Sequence, residues 1–199
     1  MAFIDFIPPE RASAAARRMY DRQADFFGYL PNYATVFGLR PEIMSLWAQL
    51  QAGIKANMSA RLYELITLAA AHELRSSYCC LAHSKKLTEI FTSDEIRCIV
   101  ERDGEGVLSE QETAVVRHAR LVARRADLVS RTDVDRLRQV GFCDAQIFDI
   151  TAAAAARAFF TKLVDGLGAE PDAVYASLDR SLLDTMVVGR PLATSDAEA

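Results

Sequence analysis

Helix-favouring residues run through nearly the whole chain, and the alternation of β-branched and polar residues that would support a strand is missing. Alanine runs, Leu, Glu and Arg dominate in their place. The pattern predicts an all-α protein of about eight to ten helices. Residues 1–190 are expected to form a single domain, and the small, polar stretch 191–199 a mobile tail. With 199 residues, 51% hydrophobic and 25% charged, the chain has the profile of a globular protein. A chain of this length buries roughly 70% of its unfolded surface, enough to fold without a metal or disulfide staple.

Start and stop signals place the helices. Pro8-Pro9-Glu10 opens a first helix to about Gln23, and Asn32 is positioned to cap a short second one. Pro41 starts a third, through Trp47 to about Ala56. Ser59 caps a fourth from Ala60 to about Leu74, and Ser76 and Ser77 introduce a fifth to about Phe91. Ser93 caps a sixth. Ser109 and Glu112 form a capping box for a seventh to about Ala126. Thr132 caps Asp133 to Val140, a long helix spans about Asp144 to Leu167, and a shorter one follows Pro171.

A net charge of −4 and a pI of about 5.4 argue against a nucleic-acid-binding surface. The first ten residues lack a secretory pattern, and no uncharged apolar stretch approaches a membrane span. Cys79 and Cys80 are adjacent while Cys98 and Cys143 are isolated, unlike a secreted disulfide framework, so the expected compartment is a reducing cytoplasm.

Two features carry chemistry. Glu64 is the only charge between Leu62 and Ala71, in a helix apolar all round. A carboxylate buried there needs a polar partner, either a structural arginine or a functional group. One helix later, Cys79 and His83 are four residues apart and share a helix face. An imidazole one turn from a thiol can take its proton, and a first-turn position favours a thiolate. Cys80 points about 100° away, toward the apolar face, and reads as core. His72, at a helix C-terminus, suits a cation. His118, among Arg117, Arg120, Arg124 and Arg125, reads as a solvated face or an interface. No tight metal-ligand pair is present, so neither a metal nor another cofactor is expected.

Together these residues read Glu64-x11-Ser76-x-x-Cys79-x3-His83. The pattern resembles the AhpD-like family, the alkylhydroperoxidase and carboxymuconolactone decarboxylase group, whose peroxidase members carry Glu-x11-Cys-x-x-Cys-x3-His. Phe27-Gly28-Tyr29-Leu30-Pro31-Asn32, Tyr63-Glu64-Leu65, Ser77-Tyr78-Cys79, Leu137–Gly141 and the helix through Phe159-Phe160 are similar to its peroxidase-related branch. The resemblance implies an AhpD-like helical fold. It implies Cys79 as the peroxide-attacking cysteine, His83 as the proton relay and Glu64 as the acid that orients it, with Ser76 and Tyr78 in support. It also implies a homo-oligomer.

Ser76 stands where the family has its first redox cysteine, and a hydroxyl forms no disulfide. A sulfenic acid at Cys79 must then be resolved by an external thiol or a redox partner protein. The expected function is therefore a thiol-dependent peroxidase-like oxidoreductase acting on a small hydroperoxide. The alternatives are a lactone decarboxylase-like lyase on the same scaffold, or a helical oligomer whose site has decayed.

Overall fold

The computed structural model describes residues 3–193. These form ten α-helices, with no strand among the described residues. In chain order they are α1 (Ala14–Phe27), α2 (Asn32–Phe37), α3 (Pro41–Lys55), α4 (Ala60–Glu73), α5 (Ser77–Leu87), α6 (Ser93–Arg102), α7 (Glu110–Arg125), α8 (Arg131–Gln139), α9 (Asp144–Gly166) and α10 (Arg180–Met186). Short 3₁₀ turns lie at Pro9–Arg11, Ala126–Leu128 and Ala173–Ser177. No helix among the described residues is long and apolar enough to cross a membrane.

The centre of the molecule is α4, buried at every position from Tyr63 to Ala71. It packs against α5, α7 and α9, and α7 packs in turn on α9. This is the outcome demanded by a helix with no polar face. Arg120 of α7 ties the layers together. Its guanidinium reaches Glu73 Oε1 and Asp103 Oδ1, both at 3.1 Å, and donates to the Ile99 and Val100 carbonyls at 3.0 and 2.6 Å. Those carbonyls belong to the last turn of α6, where unsatisfied acceptors need a donor.

Several helix boundaries depart from the sequence expectation. The first helix begins one turn later than Pro9, because Ser13 caps it through the Ala16 N–H. It runs on to Phe27 and stops at Gly28, whose φ of 78° suits a residue without a Cβ. Thr92 with Glu95, rather than Ser93, caps α6, and Ser130 with Asp133, rather than Thr132, caps α8. The fifth helix ends at Leu87 instead of Phe91. The segment after Pro171 divides into a 3₁₀ turn and α10, capped by Asp179.

Asn32 does not cap α2. Its own N–H donates to Asp172 Oδ1 at 2.7 Å, so the cap is supplied by a carboxylate distant in sequence. Asp172 Oδ2 also accepts from the Tyr78 hydroxyl at 2.5 Å and the Tyr29 hydroxyl at 3.3 Å. This one buried acid joins the α1–α2 loop, α5 and the C-terminal segment.

Of the expected tail, 194–199 lie outside the described residues, while the Ala193 N–H donates to the Pro171 carbonyl at 2.9 Å. Just before it, the Gly189 N–H donates to Ser77 Oγ at 2.8 Å. A Cβ at Gly189 would lie 2.2 Å from the Arg75 carbonyl oxygen, so only glycine fits there.

Candidate active site

A tight reversal brings α4 and α5 together. Arg75 takes the left-handed conformation at φ 55°, and the Ser76 N–H returns to the Ala71 carbonyl at 3.1 Å. The reversal lays the first turns of α5 against the middle of α4. Glu64 on α4 and His83 on α5 are thereby brought into contact.

Glu64 is 8% exposed and His83 7%. His83 Nδ1 lies 2.5 Å from Glu64 Oε2 and 3.3 Å from Thr67 Oγ1. The Thr67 hydroxyl donates to the Tyr63 carbonyl at 2.8 Å, leaving its oxygen free to accept from the ring. An ionised carboxylate can only accept, so Nδ1 carries the proton and Nε2 the lone pair. Burial is the largest influence on His83 and lowers its pKa; Glu64 opposes this, while Arg157 and Lys86 add to it, and the ring is neutral at neutral pH. Burial alone would raise the Glu64 pKa. His83 and its hydrogen bond, with Lys86 at 3.6 Å and Lys55, outweigh it and hold the carboxyl below its usual range. The partner that Glu64 needs is thus a histidine and a lysine, and no arginine.

Cys79 is 2% exposed and lies on the wall of a cavity of about 660 Å³ that His83 also lines. Among the described residues no hydrogen bond joins the two side chains. The sulfur instead receives Arg157 Nη1 from α9 at 3.8 Å, and Arg157 Nη2 donates to the Tyr63 hydroxyl at 3.3 Å. Burial raises the Cys79 pKa, and Arg157 and Ser76 lower it without cancelling the rise. Burial thus works against the thiolate that the first-turn position favours, because removing a sulfur anion from water costs more here than the helix end, the arginine and the hydroxyl return.

Ser76 is fully buried at the N-cap of α5 but accepts no backbone N–H. It stands near Cys79 and Asp165, and lowers the pKa of both against burial. Tyr78 lines the cavity, with its hydroxyl committed to Asp172 and the Tyr33 N–H. Cys80 is wholly buried in the core. Cys98 donates to the Glu105 carbonyl at 3.4 Å, and Cys143 is exposed at the start of α9. Neither Cys98 nor Cys143 lines the cavity.

The remaining histidines are also corrected. His72 is no helix-end cation, because burial and then Arg120 lower its pKa. His118 is not on a solvated face: it is buried between α7 and α9 with Nε2 2.9 Å from Thr151 Oγ1. Among the described residues no group of three or more His, Cys, Asp or Glu is placed to hold a metal ion.

Arg157 and Asp172 went unread in the sequence. Arg157 carried the same signal as Glu64, being the only charge between Asp149 and Lys162 in an alanine-rich helix. Asp172 carried none, since its partners lie far away along the chain.

No family profile matches the sequence, and no curated protein is matched by it. Solved structures do match. An AhpD-core, uncharacterized peroxidase-related protein from Ralstonia eutropha JMP134 superimposes with a TM-score of 0.75 at 16% identity, over 95% of this chain and 98% of its own. An uncharacterized peroxidase-related protein from Silicibacter sp. TM1040 gives 0.72 at 17% identity, over 87% and 91%. A cysteine-to-alanine form of the debrominase Bmp8, in complex with 2,3,4-tribromopyrrole, gives 0.74 at 17% identity, over 94% and 100%. At these identities the likeness shows the fold.

Proposed function

From the AhpD-like helical fold, we propose that this chain is a thiol-dependent peroxidase-like oxidoreductase with Cys79 as its nucleophile. The observation that supports it most is the pairing of Glu64 with His83 Nδ1 on the helix face that carries Cys79 into the cavity. That pairing puts the ring proton on Nδ1 and leaves the lone pair of Nε2 free on a residue one helical turn from Cys79.

The resting thiol is protonated, so the reaction begins with proton transfer. His83 Nε2 takes the thiol proton, and Glu64 balances the charge of the imidazolium. The thiolate attacks the terminal oxygen of a hydroperoxide and the O–O bond breaks. The imidazolium returns its proton to the leaving alkoxide, giving an alcohol and a sulfenic acid on Cys79. Arg157 faces the sulfur and steadies its negative charge during the attack.

Ser76 offers no second thiol, and Cys98 and Cys143 lie elsewhere. An external thiol therefore attacks the sulfenic sulfur, releasing water and leaving a mixed disulfide. A second thiol frees Cys79 and carries away the oxidised reductant.

Mass spectrometry after mild peroxide treatment tests the reading. Oxidation should appear at Cys79 before Cys80, Cys98 or Cys143. A Cys79 indifferent to peroxide would remove the proposal.

A further inference from the structure

Arg157 is 4% exposed and has no carboxylate within ion-pair distance among the described residues. Its Nε has no hydrogen-bond partner, and its other contacts are a sulfur, a phenol and the faces of Trp47 and Phe160, at 5.9 and 5.5 Å from the guanidinium carbon. A buried guanidinium is normally matched by an acid, because leaving the charge alone in a low-dielectric interior is costly. Here the only anion its own contacts can supply is the Cys79 thiolate, and the resting thiol is neutral.

The cavity repeats this imbalance. Its lining carries Arg157, Lys55, Lys85 and Lys86 against a single acid, Glu89, although the chain as a whole has a net charge of −4. Lys86 is paired with Glu64, whereas Lys55 lies over the Tyr63 ring at 4.3 Å and among the described residues makes no direct ion pair, feeling Glu64 only from further off. The walls are aromatic. Trp47 and Phe160 are stacked at 5.3 Å, and Phe37 is stacked on Phe160 at 5.8 Å just behind. At about 660 Å³ the space is in the range that encloses an organic ligand and far exceeds hydrogen peroxide.

We propose that the cavity binds an aromatic molecule bearing a carboxylate, with Arg157 as the anion-holding residue and the Trp47–Phe160 wall against the ring. The Arg–carboxylate pair would then stand beside Cys79. Joined to the thiol-peroxidase reading, on which this part alone rests, the substrate class becomes an aryl hydroperoxide with an acid group.

The test is a binding measurement on the intact chain, independent of any peroxide chemistry. 1-Naphthoate and the uncharged 1-naphthylmethanol are titrated while the fluorescence of Trp47, the only tryptophan, is followed. The acid should bind at least about tenfold more tightly than the alcohol, the expected worth of a buried charge-assisted pair. Arg157→Met should abolish that preference and leave the alcohol within about twofold. Cys79→Ser should keep the preference, which separates failure of this inference from failure of the thiol reading. Equal binding of acid and alcohol by the unmodified chain overturns the proposal, and needs no variant to fold. So does an Arg157→Met chain that still prefers the acid, since Arg157 would then serve only the sulfur.

Discussion

At the scale of single residues, the site depends on which of its groups is charged. Burial raises the Cys79 pKa above its ordinary 9.0 in spite of Arg157. Ultraviolet titration of the thiolate should show no Cys79 thiolate at neutral pH, and Arg157→Met should push the transition higher still, because it removes the main opposing influence. Glu64→Gln keeps a hydrogen-bond acceptor for His83 but takes away the counter-charge of the imidazolium. The rate of Cys79 oxidation by peroxide should fall on the order of 10–100-fold, as for other residues that support a histidine from behind. An unchanged rate in Glu64→Gln would show that His83 carries no proton in the reaction. Spacing singled out the acid, the cysteine and the histidine as candidates, and the family resemblance supplied their roles. The contact between Glu64 and His83 that the resemblance implied is present, with Nδ1 on Glu64 and Thr67; what went unread is Arg157 at the sulfur, and among the described residues no hydrogen bond joins the imidazole to it.

At the scale of elements, the helices were easier to read than their ends. At Ser59 and Ser109 sequence and structure agree, while at α6 and α8 the cap lies one or two residues before the expected one, at Thr92 and Ser130. At α2 the cap is Asp172, and no local pattern announces a partner so distant. This buried acid accepts three hydrogen bonds that hold the α1–α2 loop and α5 together. Asp172→Ala should destabilise the fold by about 2–4 kcal/mol, since it orphans the Tyr78 hydroxyl and the Asn32 N–H. Asp94→Ala is the control: its side chain is exposed and its partner Arg97 lies three residues on along the same helix, so the loss should stay below about 0.5 kcal/mol. Chemical denaturation of both variants checks the difference, and equal losses would demote Asp172 to an ordinary surface acid.

For the whole molecule, the three histidines act together. Burial lowers the pKa of His72, His83 and His118 alike. A group whose folded pKa lies below its unfolded value contributes stability that is present above the unfolded value. That contribution is lost as the pH falls through the folded one. The melting temperature should therefore hold above pH 6.5 and decline below it, before any carboxylate of ordinary pKa takes up a proton. His118→Gln should weaken the decline; an identical acid profile in that variant would remove His118 from the set. The outer face of α3 bears on assembly. Ile43, Leu46 and Leu50 form one stripe, with Leu46 59% and Leu50 51% exposed. A second copy of the chain is expected to cover it. Light scattering should report a homo-oligomer that Leu46→Glu with Leu50→Glu dissociates, and a monomeric unmodified chain would end that expectation.

What the sequence by itself determined was periodic and local: an all-helical chain, a central helix with nowhere polar to face, and an acid, a thiol and an imidazole on two successive helices. These follow from backbone geometry, which repeats every few residues and leaves its mark in neighbouring positions. What only the tertiary structure decided was the electrostatics. Arg157 meets Cys79 across the core, Asp172 caps a helix from the far end of the chain, and desolvation keeps the thiol protonated. Charge and burial are properties of what surrounds a group in space, and in a helical bundle most of those surroundings come from helices remote in the chain.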